Sequence, residues 1–308
     1  MLNVLVTGSS GFIGNALVLA LRERGYNVKV TLRDINQKSN LKSKNVFYCN
    51  INSKTDWSKI LIDIDYVIHC AGQSASISFN KKKNYQNYKE VNIDGTKNLA
   101  YQSAKFGVKR FIFLSTAKII LLPKDNNEIQ KDNLYEFSKL EGENELKKIS
   151  KSTNLEITII RPPIVYGKGV KGNLNRLIKL IEMSIPFPFG LVKNKRSFIG
   201  LDNLLDFIIK SINHPKAAGQ TFYVSDGNDL STVELINQIS LAMNKPVKIL
   251  SFNPFLIKIF GTLIGRSNDI DRLINSFQVD ISLSKKLLNW TPPYTVSYGI
   301  KKMVSNLK

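Results

Sequence analysis

The stretch Val4-Leu5-Val6-Thr7-Gly8-Ser9-Ser10-Gly11-Phe12-Ile13-Gly14 decides the fold. An apolar run passes into glycines spaced three apart, and apolar positions at helical spacing follow from Asn15 to Arg24, ending at Gly25. Strand, glycine turn and helix together give such a loop a mechanism. Gly8 permits the sharp turn, Gly11 lets a pyrophosphate approach the backbone, and Gly14 lets the helix pack on the sheet. The helix N-terminus then offers unpaired N–H groups to the phosphates. The loop, with Ser10, Phe12 and Ile13 completing it, predicts a dinucleotide site.

Working outward, Val28–Leu32, Val46–Cys49, Tyr66–Cys70, Arg110–Leu114 and Leu155–Ile160 read as strands. Val91–Phe106 and Tyr135–Ser150 read as helices between them. Such alternation predicts βαβ units, a parallel sheet and an α/β fold, with right-handed crossovers. The second half is broken by Pro162, Pro163, Pro186, Pro188, Pro246, Pro254, Pro292 and Pro293. Within it, Gln220–Ser225 reads as a strand returning to the sheet. Residues 1–165 are expected to form the nucleotide-binding domain, with a returning segment near 197–228. Residues 166–308 are expected to form mainly an interleaved second domain. Ile249–Ile264 is apolar but interrupted by Asn253, Pro254 and Lys258, and a packed helix is expected rather than one lying on a membrane.

Composition narrows the function classes. The chain has 308 residues and a formal charge of +20. That charge admits nucleic-acid binding, attraction to an anionic membrane, or a solvated Lys-rich surface. Scattered lysines in a Lys-, Asn- and Ile-rich chain favour the last, with steering of a phosphorylated ligand as its consequence. No nucleic-acid partner is expected. No apolar run reaches the roughly 20 residues of a membrane span, and the N-terminus carries no basic and apolar leader. Cytoplasmic location without stable membrane insertion is expected. Cys49 and Cys70 are expected to be reduced and buried. With His69 and His214 they supply no metal-binding spacing, so no metal is expected.

The spacing GxxGxxG, together with the motifs that follow it in order, resembles the extended short-chain dehydrogenase/reductase family. Ile68-His69-Cys70-Ala71-Gly72 is similar to that family's fourth-strand signature, which lies against the cofactor. Asn92-Ile93-Asp94-Gly95-Thr96-Lys97-Asn98-Leu99 resembles its NxxGTxNL helix, and Phe113-Leu114-Ser115-Thr116 the strand carrying a catalytic hydroxyl. Tyr135-Glu136-Phe137-Ser138-Lys139 resembles YxxSK, and Arg161-Pro162-Pro163-Ile164-Val165-Tyr166-Gly167 resembles RPxxVYG. The likeness runs to Leu288-Asn289-Trp290-Thr291-Pro292. It implies a Rossmann-type doubly wound parallel sheet with a smaller C-terminal substrate-binding α/β domain. It also implies Thr116, Tyr135 and Lys139 as catalytic residues. Gly8, Ser10, Gly11, Phe12, Ile13, Gly14, Arg33, Asn50, Ile51, Cys70, Ala71, Gly72, Tyr135, Lys139 and Pro162 are the implied cofactor contacts. Relatives pair through helices such as Val91–Phe106 and Tyr135–Ser150, so a homodimer is expected.

The chemistry of Tyr135 and Lys139 also follows from their spacing. At i and i+4 they share a helical face. An ammonium beside a phenol favours the phenolate, so Lys139 is expected to lower the Tyr135 pKa and ready it for proton exchange. Cofactor choice turns on the end of the second strand. Leu32 stands where NAD enzymes of this type place an acid, and Arg33 after it suits the 2′-phosphate of NADP. Asp34 offers a carboxylate nearby. The cofactor is therefore NADP(H) or NAD(H), with NADP(H) favoured.

Members of this layout act on nucleotide-linked sugars, often UDP-sugars. Asn173, Arg196 and Arg266 resemble residues that hold the diphosphate, an anion that guanidinium forks suit. Several positions depart from the 4-epimerase pattern. Ala117-Lys118-Ile119-Ile120-Leu121 follows the hydroxyl pair, Asn133-Leu134 precedes Tyr135, and Ile164 replaces an asparagine. Pro186–Gly190, Arg196–Leu205, Gly219–Ser231 and Phe277–Asp280 instead resemble bacterial 4-ketoreductases of surface-polysaccharide and O-antigen synthesis. The resemblance thus implies NAD(P)H-dependent reduction of a UDP-2-acetamido-2,6-dideoxy-4-ketohexose to UDP-N-acetylquinovosamine. The alternatives are a UDP-sugar 4-epimerase with tightly held NAD and, from another class, a non-catalytic dinucleotide-binding protein.

Overall fold

A computed structural model describes residues 1–34, 45–73, 85–123, 133–263, 265 and 267–305. In chain order the elements are β1 (Asn3–Thr7), α1 (Phe12–Glu23), β2 (Asn27–Leu32), β3 (Val46–Tyr48), α2 (Ser58–Leu61), β4 (Tyr66–His69), α3 (Tyr85–Tyr88), α4 (Thr96–Lys105), β5 (Arg110–Leu114) and α5 (Leu134–Ser152). Then come β6 (Glu156–Arg161), β7 (Ile164–Tyr166), α6 (Asn173–Glu182), β8 (Phe198–Gly200), α7 (Leu201–Ser211), β9 (Thr221–Tyr223), α8 (Thr232–Met243), α9 (Pro254–Leu263), α10 (Ser267–Ile274), α11 (Ser282–Leu288) and α12 (Val296–Val304). They fall into two units. One comprises Met1–Pro162, Leu205–Tyr223 and Ser282–Trp290; the other comprises Pro163–Leu204, Val224–Ile281 and Thr291–Lys308.

The first unit holds a seven-stranded sheet in the order β3-β2-β1-β4-β5-β6-β9. Every neighbouring pair is parallel. This is the doubly wound arrangement, and β4 and β5 are buried along their full length, as strands covered on both faces must be. That burial explains their unbroken apolar runs, Tyr66–His69 and Arg110–Leu114. Strand order reverses between β1 and β4, where Thr7 pairs with His69. The crevice beyond the carboxyl ends of such a pair is where α/β sheets bind ligands.

Cys49 and Cys70 sit just past the ends of β3 and β4, free and partly buried rather than inside strands. The strands stop one residue sooner than their apolar runs do. The expected helix Val91–Phe106 is also different. A wide π-helical turn over Lys89–Gly95 precedes α4. Such turns insert a residue into the helical ladder and often mark functional sites.

The second unit packs its own core from Tyr166, Ile178, Ile181, Phe198, Ile236, Ile239, Ile300 and neighbours. β7 and β8 form a short parallel pair there. Ser231 starts α8 with a capping box, its hydroxyl accepting from the Glu234 amide while the Glu234 carboxylate accepts from the Ser231 amide, which satisfies two end groups at once.

Arg110 ties the first unit together. Its side chain is 3% exposed. One terminal nitrogen donates to the carbonyls of Ser211, Ile212 and His214 at 2.7, 3.0 and 2.8 Å, and the rest of the fork meets Glu156. The last carbonyl of α7 and two in the segment just after it thereby find a cation, which suits the negative end of a helix. Arg110→Met strands those carbonyls, each loss costing roughly 1–3 kcal/mol. The expected outcome is a destabilisation of about 3 kcal/mol, read as a fall in the urea midpoint.

Candidate active site

The glycine loop is built on close approach. Gly8 has φ of +70°, and a Cβ there would lie 2.6 Å from the Ala71 nitrogen. A Cβ on Gly14 would stand 2.2 Å from the Gly8 carbonyl oxygen. Neither space admits a side chain. Ser10 and Gly11 are exposed at the mouth of the loop, and Phe12 and Ile13 are partly buried. Gly11 caps α1 without a side chain, and the first turn contains no acid. The N–H groups of that turn are therefore left to an anion. A dinucleotide fits this cradle.

His69 locks the floor beneath. It is fully buried between β1 and α4. Its Nδ1 lies 2.6 Å from Thr7 Oγ1, which also accepts from the Ala71 amide. Its Nε2 lies 3.0 Å from Thr96 Oγ1, so each ring nitrogen has a hydroxyl partner. Burial, then the Lys139 charge, pull its pKa down to about 3. His69 is thus a neutral structural bridge that holds Ala71 against the loop.

Asn92, in the π-helical turn, stitches the next layer. Its carbonyl oxygen accepts from the Gln73 amide at 2.8 Å, and its amide donates to the Gln73 carbonyl and to Ser138 Oγ. Ser138 in turn donates to the Tyr135 carbonyl. The chain after β4 is thereby pinned to the first turn of α5. Cys70, Ala71 and Gly72 run along this seam. Burial pushes the Cys70 thiol up to about 12 and the Cys49 thiol up to about 11, so neither is a nucleophile.

Thr116, Tyr135 and Lys139 all belong to the first unit. Lys139 is buried, and its Nζ donates to the Leu114 carbonyl at 2.9 Å and lies 4.4 Å from the Phe113 ring centroid. A Cβ on Gly72 would be 3.2 Å from it. Burial pulls its pKa down to about 8, while Cys70 and Glu143 oppose the fall. Tyr135 is held above its ordinary value, first by burial and then by Glu136 and Tyr88. The expected lowering by Lys139 is therefore not what this geometry gives. The ammonium is turned to the end of β5, and the charge acting on the phenol is the Glu136 carboxylate.

Ser115 and Thr116 differ in occupation. Ser115 donates to Glu143 at 2.5 Å in a fully buried site. Thr116 caps a short 3-10 turn over Ala117–Leu121, its oxygen accepting from Lys118 at 3.3 Å. That bond leaves the Thr116 proton free to donate outward. Glu143 also takes a two-pronged ion pair from Arg161. Sequence reading missed Glu143, although its place at i+4 from Lys139 puts it on the same helical face.

The remaining expected contacts are placed as follows. Arg33 and Asn50 are exposed beyond β2 and β3, and Ile51 is partly buried, packing against the core of the first unit. The Pro162 carbonyl accepts from Ala117 at 2.8 Å. In the second unit, Asn173 is exposed at the start of α6. Arg196 is partly buried and donates to the Asn275 carbonyl. Burial and the like charge of Arg272 lower its pKa. Arg272 was not singled out from the sequence, because only folding brings it beside Arg196. Arg266 lies outside the described residues. Among the described residues no group of three or more His, Cys, Asp or Glu could hold a metal.

Lys139 gives a stability test. Below about pH 8 the folded protein carries a buried ammonium, and the unfolded chain keeps that proton up to about pH 10.5. Between those values the unfolded state binds more protons, so this group makes stability rise with pH. Lys139→Met removes the penalty. Its stability relative to the unsubstituted protein is expected to be greatest at pH 7 and to shrink between pH 8 and pH 10, in urea titrations of the two proteins.

Comparison with known proteins agrees with this geometry. The family model described as the NAD dependent epimerase/dehydratase family matches residues 4–225. A UDP-glucose 4-epimerase of Vibrio cholerae is 40% identical over 97% of this chain and 94% of its own length. An Escherichia coli O157:H7 N-acetyl-alpha-D-glucosaminyl-diphospho-ditrans,octacis-undecaprenol 4-epimerase is 27% identical over 97% of this chain and 93% of its own. The solved structure of UDP-glucuronic acid 4-epimerase from Bacillus cereus in complex with NAD superposes with a TM-score of 0.77 at 23% identity, covering 99% of this chain and 98% of that one. A likeness of that last kind carries the fold alone, but the family match and the Vibrio relative reach across the glycine loop, the Asn92 turn and the Tyr135–Lys139 helix. On those two grounds this chain belongs to the NAD-dependent epimerase/dehydratase family of extended short-chain dehydrogenase/reductase enzymes.

Proposed function

We propose that the protein is a UDP-sugar 4-epimerase that keeps NAD bound through its catalytic cycle. The observation that carries this reading is the complete Thr116, Tyr135 and Lys139 set beside a dinucleotide cradle, in a chain 40% identical to a UDP-glucose 4-epimerase. Gly8, Gly11, the first turn of α1, Ala71, Gly72, Lys139 and Pro162 would hold the dinucleotide, which supplies a reversible hydride acceptor. Tyr135 would act as the base in its phenolate form, taking the proton of the sugar 4-hydroxyl and later returning it, which requires that it first give up its own proton against the effect of burial and Glu136. Thr116 donates to the same oxygen and fixes its position. Lys139, with a pKa of about 8, bonds a ribose hydroxyl and shares protons near neutral pH. The hydroxyl proton would travel only between the 4-oxygen and Tyr135, while the hydrogen on C4 would be the hydride that the dinucleotide accepts and returns.

Arg196 with Arg272, and Asn173, are proposed to hold the diphosphate. Arg272 adds a like charge to Arg196, and an anion held between two guanidiniums would offset that repulsion. A second reading, reduction of a 4-keto-6-deoxy sugar, is favoured by Leu32 and the exposed Arg33 at the end of β2, where Leu32 rather than an acid closes the strand.

The test is a cofactor inventory followed by turnover. Denatured enzyme is expected to release close to one equivalent of NAD. The enzyme should interconvert UDP-glucose and UDP-galactose, or their N-acetyl forms, without added cofactor. An empty site, with added NADPH oxidised in step with a UDP-4-keto-6-deoxy sugar, would establish the reductase instead. Tyr135→Phe is expected to lower kcat by about 10²–10⁴ while leaving NAD content unchanged. Glu136→Gln removes the carboxylate that opposes the phenolate, so the acid limb of the kcat/KM profile should move to lower pH.

A further inference from the structure

The helix α9, Pro254-Phe255-Leu256-Ile257-Lys258-Ile259-Phe260-Gly261-Thr262-Leu263, has two apolar sides. One is satisfied. Ile257 and Gly261 are buried, and a Cβ on Gly261 would meet Ile270 of α10 at 2.6 Å. The other side is bare. Phe255, Leu256, Ile259, Phe260 and Leu263 are exposed, Phe255 to 67% and Leu263 to 77%. Their spacing i, i+1, i+4, i+5, i+8 makes one stripe along the helix. Leu250 and Phe252 extend it into the preceding segment and are exposed as well. The packed helix expected from the sequence is therefore packed on one side only. Soluble surfaces rarely leave such a continuous apolar patch without a use.

Charge says what covers it. The stretch from Lys245 to Arg266 contains four basic residues, Lys245, Lys248, Lys258 and Arg266, and no acidic one. Lys258 is paired with Asp271 of α10 at 3.3 Å, and Lys245 and Lys248, both exposed, supply the charge that meets an anionic surface. The whole chain carries +20. A symmetric contact with a second copy would bring this basic stretch against itself, since a two-fold interface joins the same patch from each partner. An anionic lipid surface matches the apolar stripe and the positive charge together. Ten residues of helix rise about 15 Å, half the hydrocarbon thickness of a bilayer. The helix can therefore lie in the interface but not cross it.

We propose that α9 docks the protein reversibly on an anionic bilayer surface. The Phe255, Leu256, Ile259, Phe260 and Leu263 stripe enters the acyl boundary, and Lys245 and Lys248 meet the headgroups. The test uses the full chain in flotation with vesicles of equal phosphatidylglycerol and phosphatidylcholine, and with phosphatidylcholine alone. Expected is binding to the anionic vesicles that weakens as salt is raised. Phe255→Ser/Phe260→Ser should weaken it at least about a hundredfold, since each buried phenyl contributes more than a decade in affinity. Lys245→Ser/Lys248→Ser should remove most of the preference for anionic over neutral vesicles. Thermal unfolding and NAD content of both variants are expected to match the unsubstituted protein, because these side chains are exposed and outside the catalytic unit. Failure to bind either vesicle, or binding by the phenylalanine variant at full strength, would overturn the proposal. So would a dimer that the phenylalanine variant turns into a monomer while vesicles are ignored; that outcome assigns the stripe to a second copy of the chain.

Discussion

The first unit depends on one buried carboxylate. Glu143 is fully buried in α5. It accepts from Ser115 at the end of β5 and from Nε and a terminal nitrogen of Arg161 at the end of β6. Arg161 reaches on to the Tyr223 hydroxyl of β9. Three strand ends and one helix are thus fixed by a single ionic cluster. The Coulomb gain in such a cluster is offset by desolvation, so its net stabilisation is modest, but losing one partner leaves a buried charge and costs about 3–5 kcal/mol. The cluster therefore acts on specificity of position more than on stability. It sets the helix that carries Tyr135 and Lys139 at a defined height against the strand that carries Thr116.

The same cluster separates two adjacent hydroxyls. Ser115 spends its proton on Glu143, and Thr116 uses its oxygen to accept from the Lys118 amide. A single residue's shift of register would exchange a structural hydroxyl for a donor facing the crevice, since neighbouring residues of an extended chain face opposite ways. His69 and Asn92 do the equivalent work on the other side of the switch point. All three are polar groups buried with their bonding capacity met, and such networks fix one arrangement because any other strands a polar atom.

What could be read from the sequence was whatever depends on local geometry. The glycine loop is legible because Gly8 and Gly14 are excluded from bearing a side chain by backbone a few residues away or by the neighbouring strand. Tyr135 and Lys139 are legible because a helix fixes their common face. The tertiary partners were not. Glu143 looks in sequence like one more acid on a charged helix, and Arg110 like one more surface cation. Only the long-range pairing of β5 with β6, and of α7 with the strand ends, gives them partners. The pKa of Tyr135 failed for the same reason. Spacing predicted proximity to Lys139 but could not say that the ammonium would turn to the Leu114 carbonyl, leaving Glu136 and burial to set the phenol.

The choice between epimerase and reductase turns in part on residues whose packing can now be seen. Ile164, where epimerases of this layout place an asparagine, looked like a lost contact to the sugar. In the folded chain Ile164 begins β7, pairs with Phe198, and packs on the core of the second unit. An apolar residue there has a packing reason of its own, so its identity says little about the sugar. The same holds for Ile119, buried in the short turn after Thr116. Both departures are explained by what the side chains pack against. The argument for a reductase then rests on the end of β2 and on the likeness of Pro186–Gly190, Arg196–Leu205, Gly219–Ser231 and Phe277–Asp280 to 4-ketoreductases; a strand end governs how tightly a dinucleotide is held, not what Tyr135 and Thr116 do to a sugar hydroxyl.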